Sequence, residues 1–350
     1  MRLCVVEPSE AGRSWLILTW FHPLMDPRGA QNLLGHLAAV DRADVQAPGR
    51  APRPAPERHH MGDVVDGFVR APDARPLRER GRLARLSLAH MRQLGDTVVV
   101  SPGTGRVPTG RIRFLLASAA AGRRSEPALA REISWRLAVV GRVMTRLWRR
   151  RGLPETPFLV PVAVDLRAKG TPGPIVGNTL GFHFARFHPA DTGAPARLAA
   201  ALRAQMADAQ RAGLIDANAA AMDFLQYRPL GAVLGKLPWA TGGETFSFNC
   251  ADVGAIPTEL DTIFGRRVVN AYHVPAVPPR PGIGVFFNRC GETDNVVVAW
   301  ADGAVEDAEA ESVLAAVIED LGWRATSDGD AVAPPLALAD DPGWPAVRRA

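Results

Sequence analysis

The chain has 350 residues, 47% of them hydrophobic, and a formal net charge of +5. That length and apolar content supply a sizeable core for one large domain or two smaller ones, which excludes a fibrous or wholly disordered protein. The basic charge is almost all arginine, with Lys169 and Lys236 as the lysines, in a chain also rich in Ala, Gly and Pro; a GC-rich coding sequence produces that bias without a polyanion partner.

Arg2 to Glu7 reads as a strand, Pro8 to Arg13 as a turn, and Trp15 to Phe21 as a second strand, so the chain opens with an expected hairpin. The pattern then changes period. Asp26 followed by Pro27 marks a helix start, the carboxylate accepting from free backbone N–H groups and the proline pre-set at the first helical position. Leu33, Leu34 and Leu37 give that helix an apolar face. His22 thus sits where a buried strand empties into a short turn, a place suited to general base work because an ordinary imidazole is largely neutral near neutral pH. Spacing alone leaves the choice open: a His beside an apolar strand also serves structure, and Asp26 is explained as a helix cap. His59 and Asp63 repeat the spacing without an apolar strand before them and read as coincidence.

Further on, Arg42 to Glu57 is expected to be a loop or linker, Pro76 to Leu94 a helix, Ser101 to Gly110 a punctuated loop, and Arg111 to Ala117 a strand. Glu126 to Arg151 is the clearest helix, with Ile133, Leu137, Val140, Met144 and Leu147 on one face, ended by Gly152 and Pro154. Phe158 to Arg167 is an apolar strand with a charged tip, and after a Gly- and Pro-rich loop the run Ile175 to Phe184 begins with the turn signal Gly177-Asn178. His183 reads as a half-buried structural residue. Pro195 to Ala212 and Ala217 to Tyr227 look helical, and Glu244 to Gly254 returns to strand, where turn stabilisation explains Asn249. Gly284 to Asn288 and Asn295 to Trp300 form an expected strand pair, Val305 to Leu321 a last helix, and the chain beyond Arg324 a disordered tail.

Cys4, Cys250 and Cys290 have no metal-ligand spacing and leave one unpaired, so neither a metal site nor a disulfide framework is expected. There is no zinc-finger, helix-turn-helix or aromatic-basic signature for nucleic acid. No apolar run approaches the roughly 20 residues of a spanning helix, nor is there a signal-peptide core, so a cytoplasmic protein without a transmembrane segment is expected, peripheral membrane contact staying open. Arg78 to Arg85 and Arg149 to Arg151 suit phosphates or an acidic carrier surface.

Trp15 to Leu34 resembles the His-His-x-x-x-Asp-Gly region of the CoA-dependent acyltransferase superfamily, which includes chloramphenicol acetyltransferase, condensation domains of peptide synthetases and bacterial wax ester synthase/diacylglycerol acyltransferases. His22 falls on the second, catalytic His and Asp26 on the Asp; Phe21 replaces the first His and Pro27 the Gly. Val160-Pro-Val-Ala-Val-Asp-Leu-Arg167 with Gly177-Asn178, the Ser247 to Gly254 strand end and the Phe264 to Pro281 segment with Tyr272 and His273 are similar to later family motifs, in family order, so the resemblance covers residues 1–323.

The resemblance implies an α/β fold of two chloramphenicol acetyltransferase-like subdomains, with mixed sheets and outer helices, meeting at a central tunnel. It places an N-terminal subdomain at 1–152, lacking the family's first strand and helix, a C-terminal one at 153–323, and the tail at 324–350. It implies an acyltransferase working without metal or redox cofactor, moving an acyl group from a CoA or carrier-protein thioester to an alcohol or amine. The implied site is His22 as general base, with Asp26 and an Arg167 that pairs with it and holds the loop. Asn178, Ser247 and Asn249 are the implied substrate-binding residues. Two rivals stay open: a catalytically degenerate module that binds a carrier protein or acyl chain, and a cofactor-free hydrolase, the latter weakened by the lack of a Gly-x-Ser-x-Gly elbow.

Overall fold

The computed structural model describes residues 1–6, 14–46, 75–94, 111–120, 132–167, 176–225 and 246–323. It is a mixed α/β structure, with six α-helices and ten strands among those residues. β1 (Arg2–Val6) and β2 (Trp15–Thr19) form an antiparallel hairpin. A 3-10 turn at His22–Leu24 follows, then α1 (Pro27–Gln46). α2 is Leu77–Gln93, β3 Ile112–Ala120 and α3 Ile133–Arg150. The antiparallel pair β4 (Phe158–Asp165) and β5 (Leu180–Phe187) leads to α4 (Pro195–Arg211) and α5 (Leu214–Leu225). β6 (Asn249–Ala255), the two-residue strands β7 (Thr262–Ile263) and β8 (Arg266–Arg267), β9 (Ile283–Cys290), β10 (Thr293–Ala301) and α6 (Asp307–Leu321) complete the order.

The main sheet runs β3-β10-β9-β6, antiparallel except for the parallel β6–β9 pair. β3 therefore joins a strand far downstream in the chain. The apolar stripe of α3 covers this sheet: Leu137, Val140, Met144 and Leu147 are buried together with Val285, Phe287, Val296 and Val298. Trp148 anchors the far end, packing edge-on to Phe158 at 4.7 Å and donating its indole N–H to the carbonyl of Pro154 at 2.7 Å. Residues 152–157, where the expected subdomain boundary falls, are the turn between α3 and β4, and the core they border takes side chains from β3, α3, β4, β5, α4, β9, β10 and α6.

Arg136 of α3, 5% exposed, ties helix to sheet. It pairs with Asp252 of β6 at 2.7 Å and Asp294 of β10 at 3.5 Å, and lies over the Phe287 ring. Burial raises the pKa of Asp252 against the pull of this guanidinium.

Several expected boundaries move. β2 stops at Thr19 because the chain bends into the 3-10 turn. Arg42 to Gln46, expected as loop, continue α1, and Arg42 donates to the carbonyls of Glu259 and Thr262. α3 begins at Ile133 rather than Glu126, since Glu132 is extended (φ −83°, ψ 139°). α5 starts at Leu214, three residues early, and β6 only at Asn249. The turn at 8–13, most of the 42–57 stretch, the 101–110 loop and the 324–350 tail lie outside the described residues. No helix among the described residues is long and apolar enough to cross a membrane.

Candidate active site

His22 opens the 3-10 turn and is exposed, as are its neighbours Phe21 (68%) and Leu24 (61%). The turn is closed by a Leu24 N–H to Phe21 carbonyl bond of 2.9 Å. Trp20 donates its indole N–H to the carbonyl of Met25 at 2.8 Å, pinning the two ends of the segment.

The turn leads into Asp26, which is completely buried. One carboxylate oxygen, Oδ1, accepts from the Gly29 N–H at 2.7 Å, capping α1, and from Arg167 at 3.1 Å. Oδ2 accepts from the Thr179 N–H at 2.7 Å and from the other terminal nitrogen of Arg167 at 3.0 Å. The guanidinium thus grips the carboxylate with both nitrogens, the geometry that makes such pairs strong and directional. Arg167 also donates to the Gly177 carbonyl at 2.7 Å and to Asp165 at 3.0 Å. Asp165, Arg167 and Gly177 are thereby clamped to the start of α1.

Two supports carried no signal at the level of motif. Gly29 lies so close to the 176–179 segment that a β-carbon there would sit 1.9 Å from the Val176 carbonyl oxygen, inside any tolerable contact. Arg28 reaches from α1 to β6, donating to the carbonyls of Val253 and Ala255 at 2.9 Å each, and to Gln31 at 2.6 Å. A glycine in the first turn of a helix was the one available hint of close approach.

Gly29→Ala is accordingly expected to destabilise the protein by about 1–3 kcal/mol, as overpacking of a tight contact does. Gly35 sits in the same helix, and a β-carbon added there would meet nothing within 4 Å. Gly35→Ala should therefore stabilise by about 0.5–1 kcal/mol through helix propensity. Urea unfolding midpoints of the two variants check this opposition of sign.

The implied substrate-binding residues fall differently. Asn178 is brought to the turn, its amide 3.4 Å from the His22 carbonyl oxygen. Ser247 is fully buried, its Oγ accepting from the Leu159 N–H at 3.1 Å and its own N–H donating to the Leu159 carbonyl at 2.7 Å. Those bonds give it a place in the packing of β4 against the start of β6. Asn249 is half-buried at the edge of β6, its amide only at the limit of hydrogen-bond distance, 3.5 Å, from the Ile283 carbonyl.

His273 lies beside the turn, its ring edge-on to Trp20 and its Nε2 3.0 Å from the Gln31 amide nitrogen. Desolvation, aided by the charge of Arg28, lowers its pKa to about 4. His183 on β5 is likewise lowered to about 4 by burial, with His90 adding repulsion. Both rings stay neutral in the folded protein down to about pH 4, whereas in the unfolded chain they take up protons below 6.5. Between those values the unfolded state binds more protons, so the stability they allow is complete above pH 6.5 and is lost as the pH falls toward 4. The melting temperature should drop through that window, and replacing both with Phe and Gln should flatten the drop.

No group of three or more His, Cys, Asp or Glu side chains among the described residues is arranged to hold a metal ion. No family model matches the chain, and no curated protein matches it in sequence.

In fold, the chain is similar to domains of peptide synthetases and to an O-acetyltransferase. It is similar to the epimerization domain from the third module of tyrocidine synthetase B, with a TM-score of 0.54 and 10% identity over 91% of this chain and 70% of that one. It is also similar to trichothecene 15-O-acetyltransferase from Fusarium sporotrichioides, with a TM-score of 0.53 and 12% identity over 85% of this chain and 63% of that one. The starter condensation domain of rhizomide synthetase gives 0.52 and 12% over 91% and 68%. A double mutant of that domain has been solved in complex with C8-CoA and Leu-SNAC. At these identities the likeness is one of fold, and folds host more than one chemistry.

Proposed function

We propose that this protein is an acyltransferase that moves an acyl group from a CoA or carrier-protein thioester to an alcohol or amine, with His22 as general base. The observation that carries the reading is the pairing of an exposed His22 with a buried Asp26 clamped by Arg167, four residues on, in a fold shared with an acetyltransferase and a condensation domain. His22 takes the proton of the acceptor O–H or N–H as that atom attacks the thioester carbonyl. The C–S bond then breaks and the proton passes to the departing thiolate. Asp26 and Arg167 touch no reacting atom; they position the turn. Asn249 is the side chain we assign to the oxyanion, and Asn178 to orienting the turn and the substrate beside it. The reaction needs no metal or redox group, and its product is an ester or an amide according to the acceptor.

Thiol release from a panel of acyl-CoA and acyl-carrier substrates, with and without alcohol and amine acceptors, tests this. Acceptor-dependent release with stoichiometric ester or amide is the expected result. Release that is independent of acceptor gives a hydrolase and overturns the reading. Saturable thioester binding without release supports the second reading, a degenerate module that binds a carrier or acyl chain, which is favoured by Phe21 in the place of the family's first His.

A further inference from the structure

A row of three polar side chains crosses adjacent strands of the main sheet. The register sets Asn295 of β10 opposite both Ser118 of β3 and Asn288 of β9. Strand alternation turns all three away from α3, whose apolar stripe shares its core with their neighbours Ala117, Phe287 and Val296. The row grips the segment just before His273. Asn295, fully buried, and Asn270 exchange amide hydrogen bonds of 2.9 and 3.0 Å. Ser118 donates to Asn295 at 2.7 Å, and the Ala271 carbonyl accepts from Asn288 at 2.8 Å and from Asn295 at 3.2 Å. The backbone of His273 is thus tethered two residues from its anchor on the sheet.

The tip of the His273 ring is held from the other side, its Nε2 lying 3.0 Å from the Gln31 amide nitrogen. Arg28 decides where the ring proton sits. Its Nη1 donates to Gln31 Oε1 at 2.6 Å, and a guanidinium offers no acceptor, so the amide oxygen must face Arg28 and the NH2 group His273. Nε2 therefore accepts, and the proton is on Nδ1. Burial, which keeps this ring uncharged at neutral pH, agrees. Arg28 is in turn fixed by the Val253 and Ala255 carbonyls of β6. Held at both ends, the imidazole stands edge-on to Trp20, with ring centroids 6.1 Å apart and planes at 88°. Trp20 is the residue whose indole N–H closes the His22 turn on the Met25 carbonyl.

We propose that His273 is a positioning residue for His22: locked by Gln31 as the neutral Nδ1–H tautomer, it buttresses Trp20 and so fixes the turn that presents the base. Its effect on rate rests on the reading of His22 as general base; its effect on the turn does not. Asp26 and Arg167 hold the turn where it enters α1, whereas Trp20 and His273 hold it where the chain leaves β2. A phenyl ring at 273 would keep the edge contact with Trp20 but leave the Gln31 amide without its acceptor and the ring free to rock. Misplacing a reacting group by about 1 Å costs on the order of a hundredfold in rate, so a slight failure of the buttress is measurable.

The test combines imidazole ¹⁵N spectra of the histidine-labelled full chain at neutral pH with acceptor-dependent thiol release. In the unsubstituted protein His273 Nε2 should resonate as a nitrogen without a proton and Nδ1 as one that carries it, a readout that needs no variant. His273→Phe should move the His22 ring resonances and speed solvent exchange of the Trp20 indole N–H. It should lower kcat by about ten- to a hundredfold at unchanged KM, since the ring acts through Trp20. His273→Gln, whose amide oxygen takes the place of the Nε2 acceptor, should restore most of all three, which a loss of bulk packing would not predict. Gln31→Ala should reproduce the effect of His273→Phe, and the double variant should add little. A proton on Nε2, unmoved His22 resonances in His273→Phe, or equal losses in the Phe and Gln variants overturns the proposal. Absence of acceptor-dependent release in the unsubstituted protein would instead overturn the acyl-transfer reading, while the His22 and Trp20 resonances still decide whether His273 holds the turn.

Discussion

Replacing Asp26 with alanine should destabilise the protein by about 3–5 kcal/mol, the range found when one partner of a buried ion pair is removed. The cost has three sources. Arg167, whose side chain is 10% exposed, loses its bidentate partner, while its bonds to Asp165, itself 43% exposed, and to the Gly177 carbonyl remain. The Gly29 N–H loses its cap, and the Thr179 N–H loses the acceptor that docks the 176–179 segment on α1. The double variant Asp26→Ala/Arg167→Ala should cost less than the sum of the two single changes, by about 1–3 kcal/mol, because no lone buried charge remains. Additive costs in urea unfolding would mean that the pair contributes nothing as a pair. Because only three residues separate Asp26 from His22, any acyl-transfer activity should fall with the anchor; Asp26→Asn, keeping one acceptor oxygen, should retain more of both.

The opening hairpin and the start of α1 were legible because local chemistry decides them. A run of large apolar residues gives way to helical spacing, and Asp26-Pro27 caps a helix whatever lies nearby, as the bond to Gly29 shows. The partner of Asp26 was not legible from spacing. Arg167 lies 141 residues away and was reached only through the resemblance; on its own it reads as a charged strand tip. The same limit hid the Gly29 contact with Val176, the bonds from Arg28 to β6, and the pairing of β3 with β10, all set by tertiary packing rather than by any periodicity. Ser247 meets a related limit: a motif position names a residue, and burial decides what its hydroxyl can reach. The end of α1 was missed because Arg42 to Gln46 have adequate helix propensity, and the prolines that mark the break begin only at Pro48. His183 looked like an ordinary half-buried strand residue; tertiary packing buries it to 5% exposure and leaves its Nε2 without a hydrogen-bond partner among the described residues.

His22→Ala is the change with the largest expected effect on rate. A positioned general base contributes roughly a hundred- to ten-thousand-fold, and the loss should fall equally on kcat and kcat/KM, because the ring works only as the acceptor's proton leaves. The fold should not suffer. His22 is exposed on a 3-10 turn whose shape is set by the Phe21–Leu24 bond, the Trp20–Met25 bond and the buried Asp26, none of which uses the imidazole. The two predicted effects are therefore separable by residue: Asp26→Ala lowers stability and activity together, whereas His22→Ala lowers activity at an unchanged unfolding midpoint. Substitution at His22 that leaves acceptor-dependent thiol release intact would remove the base from the scheme, however well Asp26 and Arg167 hold the turn. Equal losses of stability in both variants would instead make His22 part of the turn's scaffold, and the exposed Phe21 and Leu24 beside it would then be the residues to probe for binding of an acyl chain.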